Sequence, residues 1–308
     1  MKSMGTSYNF AVAKIVAIMI VAMGHFFGGI LWIPTTFSLF IFGFSSGYFT
    51  DKKYHDKFSL KQFWYAKILR IIPSIILINF FLTFVFIIQG KSKIICWQSI
   101  ITITGLSGFL TWFGIPNPSP YGHGLWFFTL LIIFYLVYPF LRTFRYPQVS
   151  IIVVLIITYI LKYFYPMGHA LWLTAYSFFA GCYFSYYEDR MLLPSPLMSI
   201  LLFFFFNFFM FILNMFNFNK LNYFLMTLSC FAIAIYLIKG RTPSFLRVIL
   251  PLSKSIIYIY FLHTYLFLHD LTGIAMVDFF ISMILIVVVS FFLANLEHAV
   301  LRKNLLHV

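Results

Sequence analysis

The stretch NFAVAKIVAIMIVAMGHFFGGILW, from Asn9 to Trp32, decides the fold of this chain. Its only ionisable residues are Lys14 and His25. About 20 consecutive apolar residues are enough for a helix to cross the ~30 Å hydrocarbon core of a bilayer. The stretch is too long for the apolar region of a signal peptide, and no small-residue cleavage site follows it. It therefore predicts a first transmembrane helix that is not removed.

The rest of the chain has the same character, since 62% of its 308 residues are hydrophobic and only 9% are charged. A soluble globular chain is about half apolar and a quarter charged. Lipid leaves only helices or a closed barrel, and uninterrupted apolar runs favour helices. We therefore predict an all-α integral membrane protein with ten transmembrane helices. The predicted spans are 9–32, 34–50, 70–89, 125–141, 149–165, 171–187, 196–216, 222–238, 255–269 and 276–296.

Segment 94–124 is ambiguous because it starts apolar and ends in IPNPSPYGHG, which cannot be helical. The positive-inside rule decides where it lies. If the segment does not cross, 16 of the 21 Lys and Arg residues lie on one side and 4 on the other; if it crosses, the division is 9 against 11. The first division obeys the rule. It predicts both termini in the cytoplasm, and segment 94–124 partly inserted at the outer face as a lid or pocket wall.

The net charge of +14 would suggest a nucleic-acid partner in a soluble protein. Here the basic residues lie between the spans, so membrane topology is the first explanation and an anionic ligand the second. Cys96, Cys182 and Cys230 are isolated and match no metal-binding spacing. The sequence contains no phosphate-binding glycine loop and no serine nucleophile elbow. We predict no nucleic-acid partner, no bound metal, and a single transmembrane domain over 1–308 without an appended soluble domain.

Lys14 and His25 are candidate functional residues of the first span. Their spacing of eleven places them on one helix face, about 16 Å apart along the axis. Ionisable groups inside a membrane are costly and by default mark a functional site. The alternatives are that Lys14 snorkels to the cytoplasmic interface and that His25 simply packs against a backbone carbonyl. Glycines at 24, 28 and 29 leave room around the imidazole and favour function.

Lys67 and Arg70 are three residues apart where the basic stretch Asp51 to Arg70 enters the third predicted span, and they should share a helix face at the cytoplasmic mouth. A pair of cations suits a phosphate-bearing ligand. The alternative is binding to anionic lipid headgroups.

Further candidates lie in two later segments. Tyr121, His123 and Trp126 stand where the outer segment enters the fourth span, although an interfacial His and an aromatic-belt Trp would look the same. His263, eight residues after Ser255, places a second imidazole inside the hydrocarbon.

These patterns, in this order, resemble the acyltransferase family 3 of membrane proteins, which transfer mostly acetyl groups to cell-surface glycans. The resemblance covers roughly residues 8–270. Many members have Arg where this chain has Lys14 and Lys67, and Lys lacks the bidentate fork for phosphate. The matching patterns are Lys14 with His25, Ser46-Gly47-Tyr48, Lys67 to Pro73, His123 to Phe127, and Ser255 to His263.

The resemblance implies an O-acetyltransferase of the inner membrane that takes acetyl-CoA as donor and a cell-surface or lipid-linked polysaccharide as acceptor. Lys14, Lys67 and Arg70 would hold the CoA phosphates. His25 would be the general base, or else a transient acyl carrier. A separate set of residues would contact the acceptor. A glycolipid transporter or flippase is the main alternative, and a non-catalytic envelope scaffold is a third. The implied acceptor-binding residues are Ser46, Tyr121, His123, Trp126 and His263.

Overall fold

A computed structural model describes residues 2–122, 124–143, 146–164, 168–216 and 218–299. Over these residues all regular structure is helical, which confirms the predicted all-α class. Three 3₁₀ helices lie at Gly29–Leu31, Asn219–Leu221 and Ser244–Lys254. The α-helices are α1 Lys2–Phe27, α2 Trp32–Tyr54, α3 Leu60–Ile88, α4 Trp97–Ile103, α5 Ser107–Trp112, α6 Trp126–Thr143, α7 Pro147–Phe164, α8 His169–Tyr187, α9 Pro196–Met215, α10 Asn222–Lys239, α11 Ile256–Leu262 and α12 Ala275–Glu297.

Six helices in the described part of the chain are long and apolar enough to cross a membrane, namely α1 from Gly5 onward, α3, α6, α9, α10 and α12. They are the helices of a multi-pass membrane protein. The 3₁₀ helix Ser244–Lys254 and α11 together make a seventh if they form one span, with a bend of 64° between them. The predicted number of ten spans is therefore wrong by helix length and composition.

The predicted spans that are missing from these helices have physical explanations. Helices α2 and α8 are long, but their Ser, Thr and Tyr residues lower their hydropathy. Helix α7 has only 18 residues, and its stretch Gln148–Lys162 is one of the shorter apolar helices. The predicted span 255–269 contains only the seven residues of α11, after which the chain turns. An apolar run in the sequence thus overestimates the length of straight helix.

The chain divides into two compact units. The first consists of Met1–Val21, Gly29–Asp56 and Leu141–Leu250. Within it α2 packs closely on α8 through glycines, because a Cβ at Gly47 would overlap the carbonyl of Phe178, and one at Gly181 would overlap that of Phe44. Small residues let membrane helices approach this closely. Helices buried against each other need little apolar surface for lipid, which explains the low hydropathy of this pair.

The second unit consists of Ala22–Gly28, Lys57–Phe140 and Pro251–Val308. Here a buried carboxylate joins three helices. Glu297, at the end of α12, accepts hydrogen bonds from Ser74 Oγ of α3 at 2.6 Å and from the Tyr258 hydroxyl of α11 at 2.5 Å. All three side chains are buried. Charge-assisted hydrogen bonds are among the stronger ones, so this contact fixes the helices that carry the candidate site.

Segment 94–124 folds back on α3 within the second unit. Its helices α4 and α5 have seven and six residues, far too few to cross the ~30 Å core. Asn79 of α3 donates to the carbonyl of Ile103 at 3.1 Å, and the Thr83 hydroxyl lies 2.5 Å from that of Tyr121. The segment is therefore a folded cap rather than a span. Its place at the outer face stays a prediction.

Candidate active site

His25 lies in the last turn of α1, where two glycines end the helix. Gly28 and Gly29 have φ values of +65° and +57°, a conformation that costs little only for glycine. The Gly28 N–H donates to the carbonyl of Gly24 at 3.0 Å and so closes the final turn. His25 is exposed. The glycines that the sequence analysis noted therefore end the helix directly beside this residue.

A second imidazole faces that of His25. The ring centroids of His25 and His263 are 5.0 Å apart, and the ring planes are inclined by 56°. His263 caps the C-terminal end of α11 and is 0% exposed. The first span and the eleventh helix thus bring together two histidines that lie far apart in sequence.

The hydrogen bonds of His263 fix its tautomer. Its Nδ1 lies 2.6 Å from the carbonyl oxygen of Tyr260. A carbonyl can only accept, so Nδ1 carries the proton and the lone pair is on Nε2. Nε2 is buried and has no hydrogen-bond partner among the described residues. Among the described residues of the site, this nitrogen is therefore a buried acceptor without a donor.

Gly124 forms the wall next to His25. Its φ is +72°, and a Cβ built there would lie 3.4 Å from His25 Cε1 and 3.1 Å from Thr264 Cγ2. The Tyr260 hydroxyl donates to the Gly124 carbonyl at 3.3 Å. A glycine is required here both by the backbone conformation and by the space. The neighbouring His123, a predicted site residue, lies outside the described residues.

The two residues of the predicted cation pair, Lys67 and Arg70, differ in burial. Lys67 is only 8% exposed, and its Nζ lies 4.0 Å from the ring centroid of Tyr135 and 5.3 Å from that of Phe63. Such distances are typical of cation–π contacts. Arg70, one turn later on α3, is exposed. Lys67 thus points into the second unit and Arg70 to its surface. In the first unit, Lys14 on α1 and Ser46 on α2 are both partly buried.

The predicted aromatic residues of the acceptor side differ in accessibility. Tyr121 is 2% exposed, its hydroxyl bonds to Thr83, and Phe86 packs edge-on against its ring at 4.9 Å. This ring is therefore buried between the folded segment and α3, and not on a surface that a sugar could touch. Trp126, the first residue of α6, is partly exposed. Of the two rings, that of Trp126 is the more accessible.

Three residues that hold this site together were not among those predicted from the sequence: Glu297, Tyr258 and Tyr260. The two tyrosines lie between Ser255 and His263, so the pattern that marked this segment could have drawn attention to them. Glu297 gave no such signal, because a carboxylate at the end of the last apolar run looks like an ordinary interfacial residue. No group of three or more His, Cys, Asp or Glu side chains that could hold a metal ion occurs in the ranges that the structure describes.

Comparison with known proteins identifies the family. A family model, Acyl_transf_3, described as an acyltransferase domain, matches residues 7–295, nearly the whole chain. The resemblance drawn from the motifs is thereby confirmed. The searches of curated proteins and of solved structures found no match.

Proposed function

We propose, from the premise that the chain belongs to the acyltransferase 3 family, that it is a membrane O-acetyltransferase. In this proposal it moves the acetyl group of cytosolic acetyl-CoA to a hydroxyl of a cell-surface or lipid-linked polysaccharide. Family membership supports acyl transfer by a membrane protein. The donor, the acceptor, the inner-membrane location and the cytoplasmic termini are the proposed parts.

The observation that carries the proposal is the setting of His25. The residue is exposed, its ring lies against Gly124, where no side chain intervenes, and the buried His263 lies behind it. A general base needs access to its substrate on one side and a fixed orientation from the other. This arrangement offers both to a hydroxyl that approaches His25.

The proposed reaction balances within the two substrates. His25 takes the proton of the acceptor hydroxyl while the hydroxyl oxygen attacks the thioester carbonyl carbon. The new C–O bond forms, the C–S bond breaks, and CoA leaves as a thiolate. His25 then returns the proton to that thiolate, which gives CoA thiol and an O-acetyl ester. A well-placed general base of this kind contributes about 10²–10⁴ in rate.

The donor is proposed to bind through cations of α3. The exposed Arg70 offers a bidentate fork to a CoA phosphate, and the buried Lys67 adds a point charge. On the acceptor side the partly exposed Trp126 supplies an aromatic face for a sugar ring. The roles of Lys14, Ser46 and His123 stay predictions from the sequence.

The test measures transfer from ¹³C-acetyl-CoA into the glycan fraction of membranes, read by mass spectrometry, together with thiol release. His25→Ala should lower the rate by about 10²–10⁴. Arg70→Ala should raise KM for acetyl-CoA about 10–100-fold, because a hydrogen bond to a charged group contributes ~1.5–3 kcal/mol. Lys61→Ala, at an exposed position on the same helix, is the matched control and should change neither value.

Full activity of His25→Ala would remove His25 from the mechanism. Movement of glycolipid across the membrane without thiol release would favour the flippase instead.

A further inference from the structure

His263 is buried with one ring nitrogen satisfied and the other not. Nδ1 donates to the Tyr260 carbonyl at 2.6 Å, and Nε2 is a buried acceptor for which the described residues offer no donor. Buried polar atoms in folded proteins nearly always have a partner, because an unpaired one costs ~1–3 kcal/mol. An unpaired acceptor beside an active site therefore calls for a donor that reaches it in the working state.

The rings around His263 point to that donor. The rings recorded next to His263 are those of His25 at 5.0 Å, Tyr260 at 5.9 Å and Phe267 at 5.9 Å. Phenylalanine has no polar hydrogen, and the Tyr260 hydroxyl already donates to Gly124. His25 is the remaining ring with an N–H. At a centroid distance of 5.0 Å, one nitrogen of each ring comes into the ~2.7–3.2 Å hydrogen-bond range when the two nitrogens face each other.

We propose that His263 is a positioning residue for the reaction assigned to His25, an inference that rests on the proposed function. Its Nε2 accepts the N–H of His25. A neutral imidazole has only one N–H, so this bond leaves the other nitrogen of His25 with its lone pair free for the acceptor hydroxyl. Complete burial keeps His263 from touching the substrate. This role replaces the acceptor contact that the sequence predicted for it.

The same bond acts during the transfer. When His25 takes the proton of the hydroxyl, it becomes an imidazolium that still donates to His263 Nε2. A hydrogen bond to a charged donor is stronger than one to a neutral donor, so the bond stabilises the protonated state that forms. His263 exchanges no proton in this step, because its own N–H stays on the Tyr260 carbonyl.

The first experiment compares four variants in the ¹³C-acetyl transfer assay, with the amount of protein in each membrane preparation measured. His263→Phe keeps the ring but removes the acceptor. His263→Gln places an amide oxygen near the position of Nε2, whereas the shorter Asn in His263→Asn reaches only the position of Nδ1. His269→Phe is the matched control, since its exposed ring stacks on Phe26 at 4.5 Å.

Loss of a partner that orients a functional histidine typically costs about 10–100-fold in activity. We expect His263→Phe and His263→Asn to lose kcat by that factor with KM for acetyl-CoA within about twofold, and His263→Gln to recover most of it. His269→Phe should match the wild type. A full kcat in His263→Phe, or a Gln variant no better than the Asn variant, would overturn the inference. The Gln and Asn pair decides the question even if His263→Phe does not fold.

The second experiment separates positioning from a purely structural role. A residue that acts through His25 has nothing left to position in the His25→Ala background. The double variant His25→Ala with His263→Phe should therefore have the same residual rate as His25→Ala alone. A further tenfold loss in the double variant would show that His263 acts by another route.

The same set also distinguishes the two proposals. An active His25→Ala contradicts the proposed function. An inactive His25→Ala beside an active His263→Phe contradicts only the positioning role.

Discussion

Gly124→Ala tests the site through a single methyl group. At φ +72° an alanine pays the steric cost of the left-handed conformation, about 1–2 kcal/mol. Its Cβ would also lie 3.1 Å from Thr264 Cγ2 and 3.4 Å from His25 Cε1. Carbon atoms in contact prefer about 3.5–4.0 Å, so both neighbours must move by a few tenths of an ångström. The imidazole would be displaced from the face on which the proposed acceptor approaches.

The expected result is a loss of activity beyond the loss of stability. A misplacement of about 1 Å can cost 10²-fold in rate, so a shift of a few tenths should cost about tenfold in kcat. Gly273→Ala is the matched control, because its φ is +75° and nothing lies within 4 Å of its built Cβ. Both variants should unfold at similarly lowered temperatures in detergent, while only Gly124→Ala should lose kcat in the acetyl transfer assay. If the two variants have equal kcat, the placement of Gly124 against the proposed catalytic imidazole is refuted.

Two further predictions concern a buried carboxylate and a partly exposed thiol. Glu297→Ala removes the acceptor of two buried hydroxyl groups, at a cost of ~1–3 kcal/mol each. The Ala variant should therefore unfold at a lower temperature than Glu297→Gln, which keeps an acceptor. Equal unfolding temperatures of the two variants would contradict this. The Ser99 hydroxyl lies 3.2 Å from the thiol of Cys96 and lowers the pKa of that thiol, so more thiolate is present at a given pH. The pH at which maleimide labelling reaches half its maximal rate should therefore be lower for Cys96 than for an ordinary thiol. Cys182 and Cys230 are buried, so label should enter at Cys96 alone. Labelling of intact cells by an impermeant maleimide would support the outer-face position of segment 94–124, and labelling only in inverted vesicles would contradict it.

The fold was predictable wherever a helix faces lipid. Helices α3, α9 and α12 are apolar around most of their circumference, and their predicted spans coincide with long helices. The prediction failed where helices face each other. Glycines bring α2 and α8 so close that polar Ser and Thr residues replace the apolar surface. An apolar run in the sequence indicates a helix that contacts lipid. It says little about a helix that is buried inside its own unit.

The site was predictable as a set of residues but not as a geometry. Motif order indicated His25 and His263, yet nothing in their spacing shows that the rings meet at 5.0 Å. A spacing of three suggested one shared face for Lys67 and Arg70, but three residues leave an angle of about 60° between side chains. That angle is enough to bury one cation and expose the other. Contacts between distant segments depend on packing, which local periodicity does not encode.

The proposed chemistry also accounts for the scarcity of carboxylates along the apolar helices. Proton-coupled pumps and transporters need acidic relays because protons enter on one side and leave on the other. Acetyl transfer takes up no net proton, since the hydroxyl loses the one that the CoA thiolate gains. One imidazole can hold that proton between the two steps, provided that a neighbour fixes its orientation. The buried Glu297 does not serve as a relay in this scheme, because its carboxylate is already bonded to two hydroxyl groups that join α3, α11 and α12.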